Sequence, residues 1–172
     1  RSIALLELGN DFVRAGLLDR AETLFDELLA IDAQSAPALK QLIGIYEQER
    51  EWSKAARAAS EYERLTLEPM GKLISHFHCE AALAQIAPAQ GTSNASSLPN
   101  VAASNPFDAA LALAKLADPN SVRVALMQAE RAIELSDVPT AQIALRHVIE
   151  NDVLFIPETL PILAKIRALS SI

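Results

Sequence analysis

Cysteine is nearly absent from this chain: Cys79 is the one cysteine among 172 residues. A single cysteine forms no internal disulfide bond and no four-cysteine zinc site, and it fits a reducing, intracellular compartment. Apolar runs of about 20 residues, the length needed to cross a bilayer, are also lacking. No signal peptide is visible, and the chain opens on Arg1 without a methionine, so we expect a piece of a longer protein.

Basic residues are scarce relative to acidic ones, 15 against 22, which gives a formal net charge of −7. Nucleic-acid binding requires clustered Lys and Arg, so this class is disfavoured. Glycine is scarce too: the five glycines form no Gly-x-Gly loop, and no nucleophile elbow occurs. A nucleophilic Cys79 would need an activating base and an oxyanion site. We therefore expect no catalytic residue in this chain and no enzyme activity.

Alanine is what the sequence has in abundance. Hydrophobic residues make up 51% but aromatic residues only 5%, and 31 alanines account for the difference. Alanine is the best helix former, and small side chains allow helices to pack closely. Residues that favour strands are few, so the composition predicts an all-α fold.

An internal repeat of 34 residues organises the first part of the chain. The matching pairs are Leu5 with Leu39, Leu8 with Leu42, Phe12 with Tyr46, and Ala21 with Ala55. This is the tetratricopeptide (TPR) period, and the residue types fit its signature. One departure is Ala59, which stands where the first repeat has Phe25.

The repeat predicts a TPR right-handed superhelical solenoid of helix-turn-helix pairs, in a single domain over residues 1–172. Proline, serine and asparagine are concentrated at 88–106, which predicts a flexible insert in the third pair. The expected units are repeats at about 2–35, 36–69, 72–119 (including the insert) and 121–154, followed by a capping helix at 157–170.

The turns between paired helices carry their own signals. Gly16 is expected to end a helix in the left-handed conformation, which costs glycine little. Asp19 and Ser53 are expected to cap the following helices. Trp52 is expected to pack at the second turn.

Metal-ligand residue types gather in one place, at 76–80. His76 and Cys79 are spaced i, i+3, and His76 and Glu80 i, i+4, so each pair shares a helix face, whereas His78 points elsewhere. We prefer the interpretation that these are ordinary helix residues over a metal site. No metal and no cofactor are expected in this chain.

In a TPR stack the first, or A, helices line a concave groove, and solenoids use such surfaces to bind other proteins. The polar residues expected there carry both charge signs, so the groove does not demand a polyanionic partner. The alternative is a solvated surface without a ligand. The candidate protein-binding positions are Asn10, Arg14, Lys40, Glu47, Gln48, His76, Arg123, Glu130 and Glu134.

Self-association is a further expectation. Apolar faces near Ile3 and Leu6, and near Ile162 and Ile166, would normally meet neighbouring repeats. We therefore expect these ends to associate.

Several segments together resemble the middle repeats of the lipopolysaccharide assembly protein B family. The matching segments are 8–12, 15–22, 42–46, 51–55, 76–80, 120–124 and 157–160. The TPR residues among them are unspecific, whereas His-Phe-His-Cys-Glu at 76–80 and the order of the segments are more specific.

This resemblance implies a function. Members are proteins of the Gram-negative inner membrane with an N-terminal membrane helix, cytoplasmic TPRs and a C-terminal rubredoxin-type metal domain. They bring UDP-3-O-acyl-N-acetylglucosamine deacetylase to the FtsH protease and so control lipopolysaccharide synthesis. The implied location is the cytoplasmic side of the bacterial inner membrane. Since this chain has no membrane helix and no Cys-x-x-Cys pair, neither anchoring nor metal binding is carried over to it.

Two other functions stay open. One is a general protein-interaction scaffold in cell-envelope assembly. The other is the TPR portion of a glycosyltransferase-type enzyme, against which the lack of a recognisable nucleotide-sugar or phosphate site argues.

Overall fold

The computed structural model describes residues 2–86 and 105–170, and these ranges contain helices and no strand. The all-α TPR class predicted from the sequence is confirmed. Most of the predicted insert at 88–106 lies outside the described residues. The helices are α1 (Ser2–Arg14), α2 (Leu18–Ile31), α3 (Ala36–Gln48), α4 (Trp52–Thr66), α5 (Gly71–Ile86), α6 (Pro106–Ala117), α7 (Val122–Glu134), α8 (Val138–Asn151) and α9 (Ile156–Ser170), with a short 3-10 helix (Val153–Phe155) before α9.

Two compact units divide the chain: unit 1 covers Arg1–Ala81 and unit 2 covers Ala82–Ile172. In unit 1, α1 pairs with α2 and α3 with α4, and both α1 and α2 contact α3. In unit 2, α7 pairs with α8, α6 packs on α7, and α9 packs on α7 and α8. The superhelical course of the stack, the repeat boundaries and the pairing of α5 with α6 stay predictions.

Close approach of α1 and α2 depends on two small residues. Ala21 of α2 is completely buried, as is Phe25 one turn later. A Cβ atom built on Gly9 would lie 2.6 Å from Cε1 of Phe25, well inside van der Waals contact. The Phe25 ring therefore occupies the space that any side chain at position 9 would need.

The three described hairpins turn in the same way. Gly16, Arg50 and Ser136 each follow the first helix of a pair, and each has a left-handed backbone with φ of 73°, 58° and 58°. The next residue then bonds back into the helix: the Leu17 N–H donates to the Phe12 carbonyl at 2.9 Å. The same bond closes the other two turns, at 2.8 Å each, which is the Schellman arrangement.

This turn corrects two of the predicted caps. Helix α2 begins at Leu18 and α4 at Trp52, directly after the closing bond, and neither start has a side-chain cap hydrogen bond. Asp19 and Ser53 therefore lie inside the first turn of their helices rather than before it. One left-handed residue is enough to reverse the chain, so the second helix begins before Asp19 or Ser53 rather than after it.

Helix α9 closes the core of unit 2. Ile162 and Ile166 are 4% and 6% exposed and pack in one cluster with Ala129, Ala141 and Leu145. The prediction that Ile162 and Ile166 form a free apolar face was therefore wrong. At the other end, Ile3 is 75% exposed, as the sequence suggested.

Replacing Gly9 with alanine should destabilise the protein by about 1–3 kcal/mol, because a buried Phe25 ring must move. Gly44 is the matched control: it lies inside α3 with open space around its Cα, so Gly44→Ala should stabilise by up to about 1 kcal/mol. Urea unfolding of both variants measures the difference. Equal effects at the two positions would contradict the packing role of Gly9.

Replacing Ser136 with glycine should raise the free energy of unfolding by about 1 kcal/mol, since only glycine adopts the left-handed backbone without steric cost. Arg50→Gly should behave alike, and Gly16→Ala should show the opposite sign. Thermal unfolding of the three variants checks this. Loss of stability in Ser136→Gly would show that its turn is not left-handed.

Candidate functional site

Five of the nine predicted groove positions lie on the neighbouring helices α1 and α3 of unit 1. Arg14, Lys40, Glu47 and Gln48 are exposed, whereas Asn10 is half-buried. Arg14 donates to Asp11 at 3.4 Å, but both side chains are largely exposed, so this ion pair is weak. Four of the five side chains are thus open to solvent on two adjoining helices.

His76 lies in a different environment, an aromatic cluster. Its ring meets the edge of Trp52 at 6.5 Å and lies 5.8 Å from Phe77, and Trp52 stacks on Phe77 at 6.3 Å. Trp52 therefore packs against the following helix, α5. Aromatic pairs at such distances add stability beyond the area that they bury.

Two other residues of the 76–80 segment, His78 and Cys79, are at least half-buried. Cys79 is 1% exposed, and burial lowers the pKa of the half-buried His78 below its usual value. Within residues 2–86 and 105–170, no group of three or more His, Cys, Asp or Glu side chains is arranged to hold a metal ion.

The remaining three predicted positions lie on α7 in unit 2. Arg123 is half-buried, and Glu130 and Glu134 are exposed. Glu134 accepts a hydrogen bond from Arg131 at 3.0 Å. Because the nine positions fall in two separate units, a single groove that includes all of them stays a prediction.

Unit 2 contains a groove that the sequence did not predict. It lies between α6 and α8 over α7, encloses a cavity of about 370 Å³, and is called the α6–α8 groove below. Its apolar lining comes from all three helices. It consists of Leu111, Ala112, Ala125, Ala132, Leu135, Ile143 and Ala144.

Charged groups of the α6–α8 groove are mostly neutralised within unit 2. Arg131 donates to Asp108 at 3.2 Å and to Glu134 at 3.0 Å, and its guanidinium lies 5.8 Å from the Phe107 ring centre. Asp137 caps α8 by accepting from Thr140, and these hydrogen bonds lower its pKa. Lys115 donates to the neutral amide of Gln128 at 3.3 Å.

Lys54 of α4 contacts several charged and aromatic groups of unit 1. Its Nζ atom lies 3.2 Å from Glu22 of α2, 2.9 Å from Glu51, and 5.2 Å from the centre of the Tyr46 ring. Hydrogen bonds to Glu51 and then Glu22 raise the pKa of Lys54. Burial, and then the neighbouring Glu22, raise the pKa of Asp26, which the charge of Lys54 partly offsets. Lys54 thus joins two helices while it balances several carboxylates.

Comparison with known proteins finds relatives of this chain. No protein-family model matches the chain. Over 166 residues, 95% of its length, the chain is 33% identical to lipopolysaccharide assembly protein B of Escherichia coli (strain K12). The chain is a homologue of lipopolysaccharide assembly protein B. It spans 39% of the length of that relative.

Lipopolysaccharide assembly protein B of Haemophilus influenzae is also similar. It is 31% identical over 78 residues, which make up 45% of this chain and 20% of that protein. The resemblance noted in the sequence is therefore confirmed. In the part of the chain that the structure describes, no helix is long and apolar enough to cross a membrane.

Two solved TPR structures are distantly similar to this chain. One is TTC0263 from Thermus thermophilus, with 15% identity and a TM-score of 0.43, covering 98% of this chain and 81% of that one. The other is YrrB, described as a TPR protein with an unusual peptide-binding site, with 14% identity, a TM-score of 0.45 and coverage of 98% and 86%.

Replacing Lys54 with methionine should lower the stability at pH 7, because Glu22 and Glu51 lose their shared cation. The pKa of Asp26 is already raised in the folded state, so protonation of Asp26 favours folding as the pH falls, and loss of Lys54 raises this pKa further. The loss of stability caused by Lys54→Met should therefore become smaller as the pH is lowered from 7 to about 4. Lys72→Met, at an exposed position of α5, is the control in thermal unfolding. A deficit that does not change with pH would contradict this role.

Proposed function

We propose that this chain is part of a non-catalytic TPR adaptor that controls lipopolysaccharide synthesis. In this proposal it helps to bring UDP-3-O-acyl-N-acetylglucosamine deacetylase to the FtsH protease, on the cytoplasmic side of the bacterial inner membrane. The observation that carries the proposal is the similarity to lipopolysaccharide assembly protein B over 95% of the chain. The deacetylase and FtsH come from the family resemblance.

The polar surface of α1 and α3 supports an adaptor role. Arg14, Lys40 and Glu47 are exposed on two neighbouring helices whose turns are closed by backbone hydrogen bonds. Side chains on packed helices lose little backbone freedom when a partner binds, so such a surface suits protein recognition. Both charge signs are present, which favours a partner with a mixed surface rather than a polyanion.

A titration against the purified deacetylase tests the proposal. We expect micromolar or tighter binding, and a loss of about tenfold in the double variant Arg14→Glu with Lys40→Glu, since two favourable charges become repulsive. Arg20→Glu with Arg57→Glu is the matched control, because it makes the same charge change on exposed positions of α2 and α4. Isothermal titration calorimetry measures all three proteins.

Two results would count against this surface or this function. Equal weakening in the two double variants would show a nonspecific charge effect rather than a site on α1 and α3. No binding by the chain, and none by the longer protein that contains it, would overturn the assignment of the deacetylase as partner. FtsH-dependent degradation of the deacetylase, measured with and without the longer protein, tests the second partner separately.

A further inference from the structure

The helices α2–α4 of unit 1 and α6–α8 of unit 2 follow the same pattern at an offset of 86 residues. Left-handed Arg50 corresponds to Ser136, and the buried Ala55 corresponds to the buried Ala141. The ends of the preceding helices also match, since Asp32 and Asp118 both follow them and accept from the backbone N–H two residues on. Residues that line the α6–α8 groove can therefore be matched, at this offset, with residues of α2–α4 in unit 1.

In unit 1 the space between α2 and α4 is closed by two side chains. The buried Tyr46 ring rises from α3, and Lys54 extends over it from α4 to reach Glu22 of α2. The Tyr46 ring and the ion pair of Lys54 with Glu22 thus fill the space between α2 and α4. Burial, followed by the hydrogen bond with Glu22, raises the pKa of Tyr46, which fits this enclosed position.

In unit 2 both closing residues are replaced by small ones. Ala132 stands where α3 has Tyr46, and Thr140 stands where α4 has Lys54. The counterpart of Glu22 is Asp108, which pairs instead with Arg131 of α7, the helix beneath the groove. No long side chain replaces the Lys54 bridge, and the α6–α8 groove stays open with a cavity of about 370 Å³.

The open groove combines an apolar wall with a positive charge. Ile143 is 68% and Leu135 61% exposed along it, so a covering group would remove apolar area from water. Lys115 lies on α6 one turn beyond Leu111, and no carboxylate of the described residues lies within ion-pair distance of its Nζ atom. Arg131 and Asp108 neutralise each other, and the carboxylate of Asp137 is held by hydrogen bonds from Thr140 at the start of α8, so Lys115 is the lining cation that a ligand can pair with.

We propose that the α6–α8 groove binds a segment of a partner protein that places apolar side chains against Ile143 and Leu135 and a carboxylate against Lys115. This site lies on α6, α7 and α8 of unit 2, so it is distinct from the surface of α1 and α3 in unit 1. A carboxylate at Lys115 would gain a charge-assisted hydrogen bond beside an apolar wall that excludes water. Apolar contacts would supply the area, and Lys115 would select acidic segments.

A random 12-residue peptide library displayed on phage is the probe. We expect selection against the 172-residue chain to enrich peptides that combine large apolar residues with Asp or Glu. Synthetic versions are then titrated by fluorescence anisotropy, each beside a version with Lys in place of its acidic residue. Ile143→Ser and Lys115→Glu should each weaken binding about tenfold, and Lys115→Glu should favour the Lys version.

Matched controls separate the groove from the rest of unit 2. Ile149→Ser and Arg146→Glu make the same changes on exposed positions of α8 that do not line the groove, and they should leave binding unchanged. The double variant Ala132→Tyr with Thr140→Lys installs the closing pair of unit 1 and should abolish binding. If that variant does not fold, Ile143→Ser and Lys115→Glu still decide, since both change exposed side chains.

Three outcomes of the peptide experiment would overturn the proposal. They are selected peptides without an acidic preference, binding that survives Ile143→Ser and Lys115→Glu, and a library that yields no binder. A dimer of the chain that Ile143→Ser converts to a monomer in sedimentation would show a second copy as the occupant, which also contradicts a partner peptide. None of these results depends on the deacetylase titration, because that test changes residues of unit 1.

Discussion

Steric complementarity between the two helices of a hairpin is the constraint on which the rest of this structure depends. A helix can approach its partner closely only where one side is small, and Gly9 against Phe25 shows how little room is left. The same packing recurs in unit 2, where Ala129 and Leu145 share a buried cluster. Once this distance is set, the turn must reverse the chain within a few residues, and a left-handed residue does so.

The 34-residue period predicted the pairing of α1 with α2 and of α3 with α4, because a repeated pattern of large and small residues encodes which faces meet. It predicted Gly16 as a left-handed residue but not Arg50 or Ser136, since nothing in a non-glycine residue signals that backbone. The caps at Asp19 and Ser53 failed for the same reason, because turn geometry decides where the second helix starts. Ile162 and Ile166 were misjudged because the pattern predicts a capping helix at 157–170 but does not show which of its faces packs on α7 and α8.

The α6–α8 groove shows a different limit of sequence reading. The groove results from Ala132 and Thr140, two unremarkable residues whose effect is visible only beside Tyr46 and Lys54. A comparison at 86 residues could have found them, but residues 88–106 interrupt the 34-residue register. The candidate positions on α1 and α3 were easier to infer, because repeat register alone places them on the exposed sides of the first helices.

Cys79 has one consequence for experiments on dynamics. It is the one thiol of the sequence, and in the folded chain it is 1% exposed on α5, the helix whose His76 and Phe77 contact Trp52 of α4. A thiol reagent can therefore react only when this helix opens locally. The rate at which Cys79 is labelled therefore measures how often α5 opens locally, and no cysteine has to be introduced for the experiment.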